Sequence, residues 1–160
     1  MTETVTPTVT ETATPTVTET PTATTPDVSQ PPTSYAEALD HFAAASAANS
    51  VPDELNLFQT PSGNIYCSLG HDAIPAGCEI NGGKTRGGSV CEGSMAKLVG
   101  RIELSDGVPR PICNPDTIRT EHPPVLAYGM VGRWTGGAVE CVSERIGVTC
   151  LDTARGRDSF

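Results

Sequence analysis

Aromatic side chains are scarce: one Trp, three Tyr and three Phe, 4% of 160 residues. That excludes a core built on large rings and leaves a small domain short of hydrophobic burial. No apolar run reaches the roughly eighteen residues of a membrane-spanning helix. Lys and Arg are missing altogether from residues 1–83, and the ten bases that follow are scattered singly from Lys84 to Arg157. No basic stripe exists, which excludes nucleic acid as an expected partner. The chain also lacks any C-x-x-C pair and any Asn-x-Ser/Thr acceptor.

What is present is an even set of cysteines, all in the later part: Cys67, Cys78, Cys91, Cys113, Cys141 and Cys150. An even count at these spacings in a short domain reads as three disulfides and places the protein in an oxidising compartment, outside the cell or in its envelope. Met1 is followed directly by Thr-Glu-Thr-Val, with no signal peptide. The expectation is an export signal or anchor lying upstream of this sequence, removed from it, with Met1 added for expression.

Residues 1–33 hold fourteen Thr, six Pro and four acids, with no base and no aromatic. An octad repeats there, Pro7–Thr14 followed by Pro15–Thr22. Such composition cannot offset its ordering entropy and predicts a disordered, extended stalk suited to O-glycosylation. Ser34 and Glu37 then form a capping-box signature ahead of Tyr35, Ala38, Leu39, Phe42 and Ala45, predicting an amphipathic helix over 34–50. That helix either packs on the domain or serves as a spacer or docking surface. From residue 54 to 160 the pattern is β. Short runs bounded by Gly, Pro or Asp occur at Leu55–Phe58, Asn64–Leu69, Gly77–Ile80, Leu98–Leu104, Arg110–Cys113, Val125–Tyr128, Ala138–Ser143 and Gly147–Leu151. Seven or eight such strands predict a mainly β fold, a small disulfide-stapled antiparallel barrel or sandwich.

Several patterns imitate active sites. Gly83-Lys84-Thr85 lacks the earlier Gly, the strand and the helix of a phosphate loop, and reads as an exposed glycine-rich loop. His41, His71 and His122 share no metal-ligand spacing, so no metal or other cofactor is expected. Ser62 lacks the G-x-S-x-G elbow, and Ser62-Gly63-Asn64 reads as a tight turn before a strand. Asp116-Thr117 reads as a turn-and-cap pair. Tyr128, Arg133 and the sole Trp134 lie close together in a Gly-rich stretch. They form a candidate recognition surface, with Trp134 capping the small core as the alternative.

Six cysteines allow fifteen pairings. Cys67 and Cys78 flank one turn between β runs, and Cys141 and Cys150 flank another; bridges across paired strands fit the usual Cα separation of about 5–6 Å. Cys91 then pairs with Cys113. The segments Phe58–Cys67, Cys113–Thr117, Val125–Gly129 and Glu140–Cys150 carry an ordered motif set: F-x-[ST]-P-S-G-N-I-x-C, C-x-x-D-T, L-x-Y-G and C-x-S-x-x-G-V-T-C. Over about residues 55–155 the chain resembles a family of secreted or membrane-anchored actinobacterial proteins of unknown function. The resemblance implies an exported envelope domain, often behind a signal peptide or lipid anchor, and supplies no catalytic residues. Two stretches depart from the family pattern: Gly82–Gly88 stands where a Trp-Pro segment is usual, and Thr153–Phe160 replaces a T-G-H-G-F ending.

The sequence therefore points to a non-enzymatic accessory or binding module of the cell envelope. Its partner would be an envelope protein, a membrane complex or a glycan. An envelope hydrolase with an unrecognised site and a structural subunit or spacer are the alternatives.

Overall fold

Punctuation by Gly and Pro cuts the chain into short strands, and in the computed structural model these form two sheets with one helix. Residues 29–49, 53–70, 74–113, 116–154 and 157–159 are described. Residues 1–28, most of the expected stalk, and His71 lie outside them. Among the described residues the order is α1 (Tyr35–Ala48), β1 (Asp53–Glu54), β2 (Leu57–Gln59), β3 (Ile65–Ser68), β4 (Gly77–Ile80) and β5 (Thr85–Arg86). Then follow a 3₁₀ turn (Gly88–Cys91), β6 (Leu98–Ser105), β7 (Val108–Cys113), β8 (Val131–Arg133), β9 (Val139–Glu144), β10 (Gly147–Asp152) and β11 (Arg157–Ser159).

The first sheet has the order β1-β8-β9-β10-β11; the second runs β2-β3-β4-β6-β5, with β7 also on β6. They face each other as a sandwich and do not close into a barrel. The pairing is antiparallel except between β1 and β8, which run parallel. Several expected boundaries differ, and β1, β8 and β11 stand where no strand was expected. Val125–Tyr128 is not a strand: Val125 makes a single parallel bridge to Gln59. The chain then turns, with Met130 N–H donating to Ala127 O and Gly129 at φ +82°. The pairing moves downstream to β8. In the glycine-rich loop, Thr85 and Arg86 pair with Val99 and Leu98 as the short strand β5.

Alternation along β9 builds a three-layer arrangement. Val139 and Cys141 face the second sheet and join Phe58, Cys67, Leu69, Leu126 and Cys150 in the inter-sheet core. Val142 points the other way, joining Val131 and Leu151 under the helix residues Ala38, Phe42 and Ala45. The helix thus packs on the first sheet, and burying Phe42 there contributes roughly 2 kcal/mol. One member of the expected stripe is misplaced: Leu39 is 45% exposed, while His41 is 3% exposed. His41 is kept inside because its Nδ1 meets both carboxylate oxygens of Glu144 at 2.8 Å.

All three expected disulfides are present, and no described cysteine is free. Cys67 faces Cys78 and Cys141 faces Cys150 directly across antiparallel pairs. Their Cα separations, 4.1 and 4.0 Å, are shorter than expected because these are the close, non-hydrogen-bonded positions of the ladder. The third bridge spans 5.5 Å. It fixes a glycine: a Cβ at Gly87 would overlap Cys91 Sγ. At the outer edge of β6, β7 carries Pro109 and Pro111, which have no N–H. Because proline cannot donate to a ladder, both must turn their nitrogens outward, and that edge offers no donors there for strand addition.

The helix start carries the expected box and adds to it. Ser34 Oγ accepts from Glu37 N–H at 3.2 Å, and the Glu37 carboxylate takes the N–H and hydroxyl of Thr33, at 2.6 and 2.8 Å, with the Ser34 backbone N–H as a weaker donor. The Thr33 amide and then its hydroxyl hold the Glu37 carboxyl below its ordinary value of 4.5. A depressed folded pKa stabilises above the ordinary value and is lost as pH falls through the lower folded one. The Thr33 amide resonance should therefore titrate below pH 4.5 and move with the Glu37 carboxyl signal, while Glu37→Gln removes the titration.

Candidate functional site

Among the described residues, side chains with chemical character gather at several places. The first lies where the β9–β10 turn meets the Tyr128–Gly129 turn. Gly129 N–H donates to Ser143 O at 2.7 Å, and Asn49, the residue closing α1, donates through Nδ2 to Gly129 O at 2.9 Å. The turn is therefore tied to both sheet and helix. The Arg145 guanidinium sits 5.2 Å from the Tyr128 ring centroid. Ser29, Tyr128, Gly129, Glu144, Arg145 and Ile146 line an open cavity of about 530 Å³. His41 fixes Glu144 from beneath. The arrangement offers an aromatic face, a guanidinium and a carboxylate on rigid supports, a recognition chemistry.

Only part of the expected surface is here. Tyr128 lines this cavity; Arg133 and Trp134 do not. Arg133, on β8, lies 3.6 Å from Glu54 on β1. The Glu54 carboxyl is held below its ordinary value chiefly by the Thr135 N–H, 2.7 Å away, and further by Arg133. Trp134 is half-buried against the inter-sheet core. Its indole also packs on Gly136, where a Cβ would approach Nε1 to 2.5 Å. Three neighbours in sequence thus have separate tasks, because the chain leaves β8 and turns between Arg133 and Gly137.

The second place is a buried carboxylate that the sequence did not mark. Glu79, on β4, is 1% exposed. Its oxygens accept from Thr117 Oγ1 at 3.0 and 3.1 Å and from Ile118 N–H at 3.0 Å. Lys84 Nζ and Arg119 Nε lie 3.8 and 3.7 Å away. Arg119 also caps the Tyr66 ring at 4.5 Å and reaches Asn81. Thr117 closes the expected local turn as well, accepting from Arg119 N–H at 3.2 Å. The Asp116-Thr117 motif is therefore a strap that pins the chain after Cys113 to the outer face of β4. The readable signal was Glu79 itself, an acid between Cys78 and Ile80 whose side chain must leave the sheet opposite the cysteine.

The third place is an apolar cavity of about 300 Å³ at the open end of the sandwich, with Ile65, Cys78, Ile80, Ile102 and Val148 in its walls. Elsewhere the expected turn at Ser62 is present: Gly63 N–H donates to Thr60 O at 2.9 Å, and Ser62 Oγ lies 3.0 Å from Thr60 Oγ1. His122 is exposed. The sulfurs of Cys67, Cys78 and Cys150 lie within 4.8 Å of one another, a spacing that suits a soft metal. Each of these sulfurs is bound in a disulfide and lacks the thiolate a metal needs.

Comparison with protein-family models, curated proteins and solved structures gives no match to this chain.

The strap makes a measurable claim. Thr117→Val should lower unfolding stability by about 1 kcal/mol, because the buried carboxylate loses a donor, and Glu79→Gln by about 1–3 kcal/mol, because buried donors lose a charged acceptor. Urea unfolding of the oxidised protein measures both, and two neutral outcomes would remove the strap from the account.

Proposed function

We propose that this chain is an exported, non-enzymatic binding module of the cell envelope, held on its Thr/Pro-rich segment. The observation that carries this reading is the pairing of all six cysteines, with two bridges inside the core. A light core stapled in this way suits an oxidising compartment and a domain that must stay folded without chaperones. The resemblance of the four motif segments to a family of exported actinobacterial proteins supports the same reading.

The face we assign to binding is the Tyr128–Arg145–Glu144 cavity, built on two turns that the helix end and His41 hold in place. Aromatic and arginine anchors on supported loops are the usual means of engaging a glycan or a protein surface. Arg133 and Trp134 contribute to stability instead.

The oxidised protein should be retained on isolated actinobacterial envelope. Purified peptidoglycan and detergent-extracted envelope proteins, tested separately, tell a glycan from a protein partner. Tyr128→Ala with Arg145→Ala should weaken retention about tenfold, roughly 1.4 kcal/mol, without altering the unfolding midpoint. Retention on neither material, or turnover of peptidoglycan, ester or peptide substrates, contradicts the proposal.

A further inference from the structure

We infer that the cavity at the open end of the sandwich is a binding site for a neutral, apolar group: the end of an aliphatic chain or a small ring on a small amphiphile. It is separate from the Tyr128 face and does not rest on the envelope reading.

The walls come from both sheets. Ile65 and Ile80 are cross-strand partners on β3 and β4, and Ile102 lies opposite Cys78. Val99 continues the wall on β6, and Val148 closes it from β10. The volume, about 300 Å³, is at the lower end of small-ligand pockets, about 300–1,000 Å³. A protein partner needs a contact of about 800 Å² on each side, far more than this opening offers.

The polarity of the guest follows from the charges at the rim. Among the described residues Arg101 is the only charged one in the lining, and it is already neutralised: Nε lies 2.8 Å from Glu103 and Nη2 lies 3.9 Å from Asp116. Lys84 passes its stem over Gly100, where a Cβ would come within 2.7 Å of it, and delivers its ammonium to Glu79. Neither cation is left for an anionic headgroup.

The cavity is also pre-formed. Cys78 belongs to a bridge whose sulfur touches Cys150, and the two disulfides hold the sheets apart at the cavity floor. Apolar walls that cannot collapse onto each other exclude water and accept apolar guests. Ile102 stands at the mouth, 41% exposed.

The test uses the full oxidised chain and a series of 1-alkanols from butanol to decanol, followed by ¹³C methyl spectra. Shifts should saturate and be confined to Ile65, Ile80, Val99, Ile102 and Val148. Affinity should rise about fourfold per methylene, the value of about 0.8 kcal/mol for its burial, and then level off once the cavity is full. Ile102→Trp and Val148→Phe fill the space from opposite walls, and each should weaken octanol binding at least tenfold. Binding by the unaltered chain decides the matter if either variant fails to fold. Non-saturating shifts, or affinity that keeps rising with chain length, would mean surface partition and overturn the inference. So would a concentration-dependent dimer in sedimentation that octanol dissociates, since the occupant would then be a second copy.

Discussion

Cys78 Sγ and Cys150 Sγ lie 3.8 Å apart, and the fold depends on that contact. Each atom belongs to a different disulfide, and each disulfide to a different sheet. Neither sulfur carries a hydrogen, so the contact is one of dispersion between polarisable atoms at the centre of the sandwich. With Cys67 Sγ inside the same 4.8 Å group, Cys150 approaches the other bridge from its side and not along its bond. That geometry suits packing and not exchange. The four sulfurs occupy the volume that large aromatic rings would fill in a richer core. Among the described residues Phe58 is the sole aromatic buried between the sheets.

The rest of the structure is arranged around this sulfur centre. Strands with cysteines facing inward must turn their alternate residues outward, and both outer faces are then covered. On the first sheet α1 covers Val131, Val142 and Leu151, and the His41–Glu144 bond fixes its position. On the second sheet the strap at residues 116–119 covers Glu79. Both solutions give an acid removed from bulk water, Glu79 fully and Glu144 in part, a partner from a distant segment that offsets its desolvation cost. The candidate sites lie at the limits of these layers: the Tyr128 cavity at a turn joining helix and sheet, the apolar cavity where the first sheet no longer covers the second.

The features that could be read in the sequence were those set by local rules. Cysteine spacing around turns gave two of the pairings and left the third by elimination, and the Ser34 cap with its apolar spacing gave the helix within two residues at each end. Most strand runs were legible because Gly and Pro bound them. Long-range partnerships were not. Leu39 looked like a core residue, yet His41 took the buried position because Glu144, 103 residues away, awaited it. Val125–Tyr128 has the composition of a strand, but its partner Gln59 meets it at one residue before the chain turns. Closeness in sequence grouped Tyr128 with Arg133 and Trp134, while the fold sends them to a cavity, an ion pair and the core edge. Arg145, the true neighbour of Tyr128, lies seventeen positions on.

The central claim is that the two core bridges act as one packed unit. A double-mutant cycle tests it, pairing Cys67→Ala/Cys78→Ala with Cys141→Ala/Cys150→Ala and using Cys91→Ala/Cys113→Ala as the distant control. Unfolding free energies from urea titration should show a coupling of about 1 kcal/mol or more between the two core bridges. Each should add to the control bridge within about 0.5 kcal/mol. Additivity between the core bridges themselves would show that they stabilise only by closing their own loops, and would contradict a fold organised around their contact.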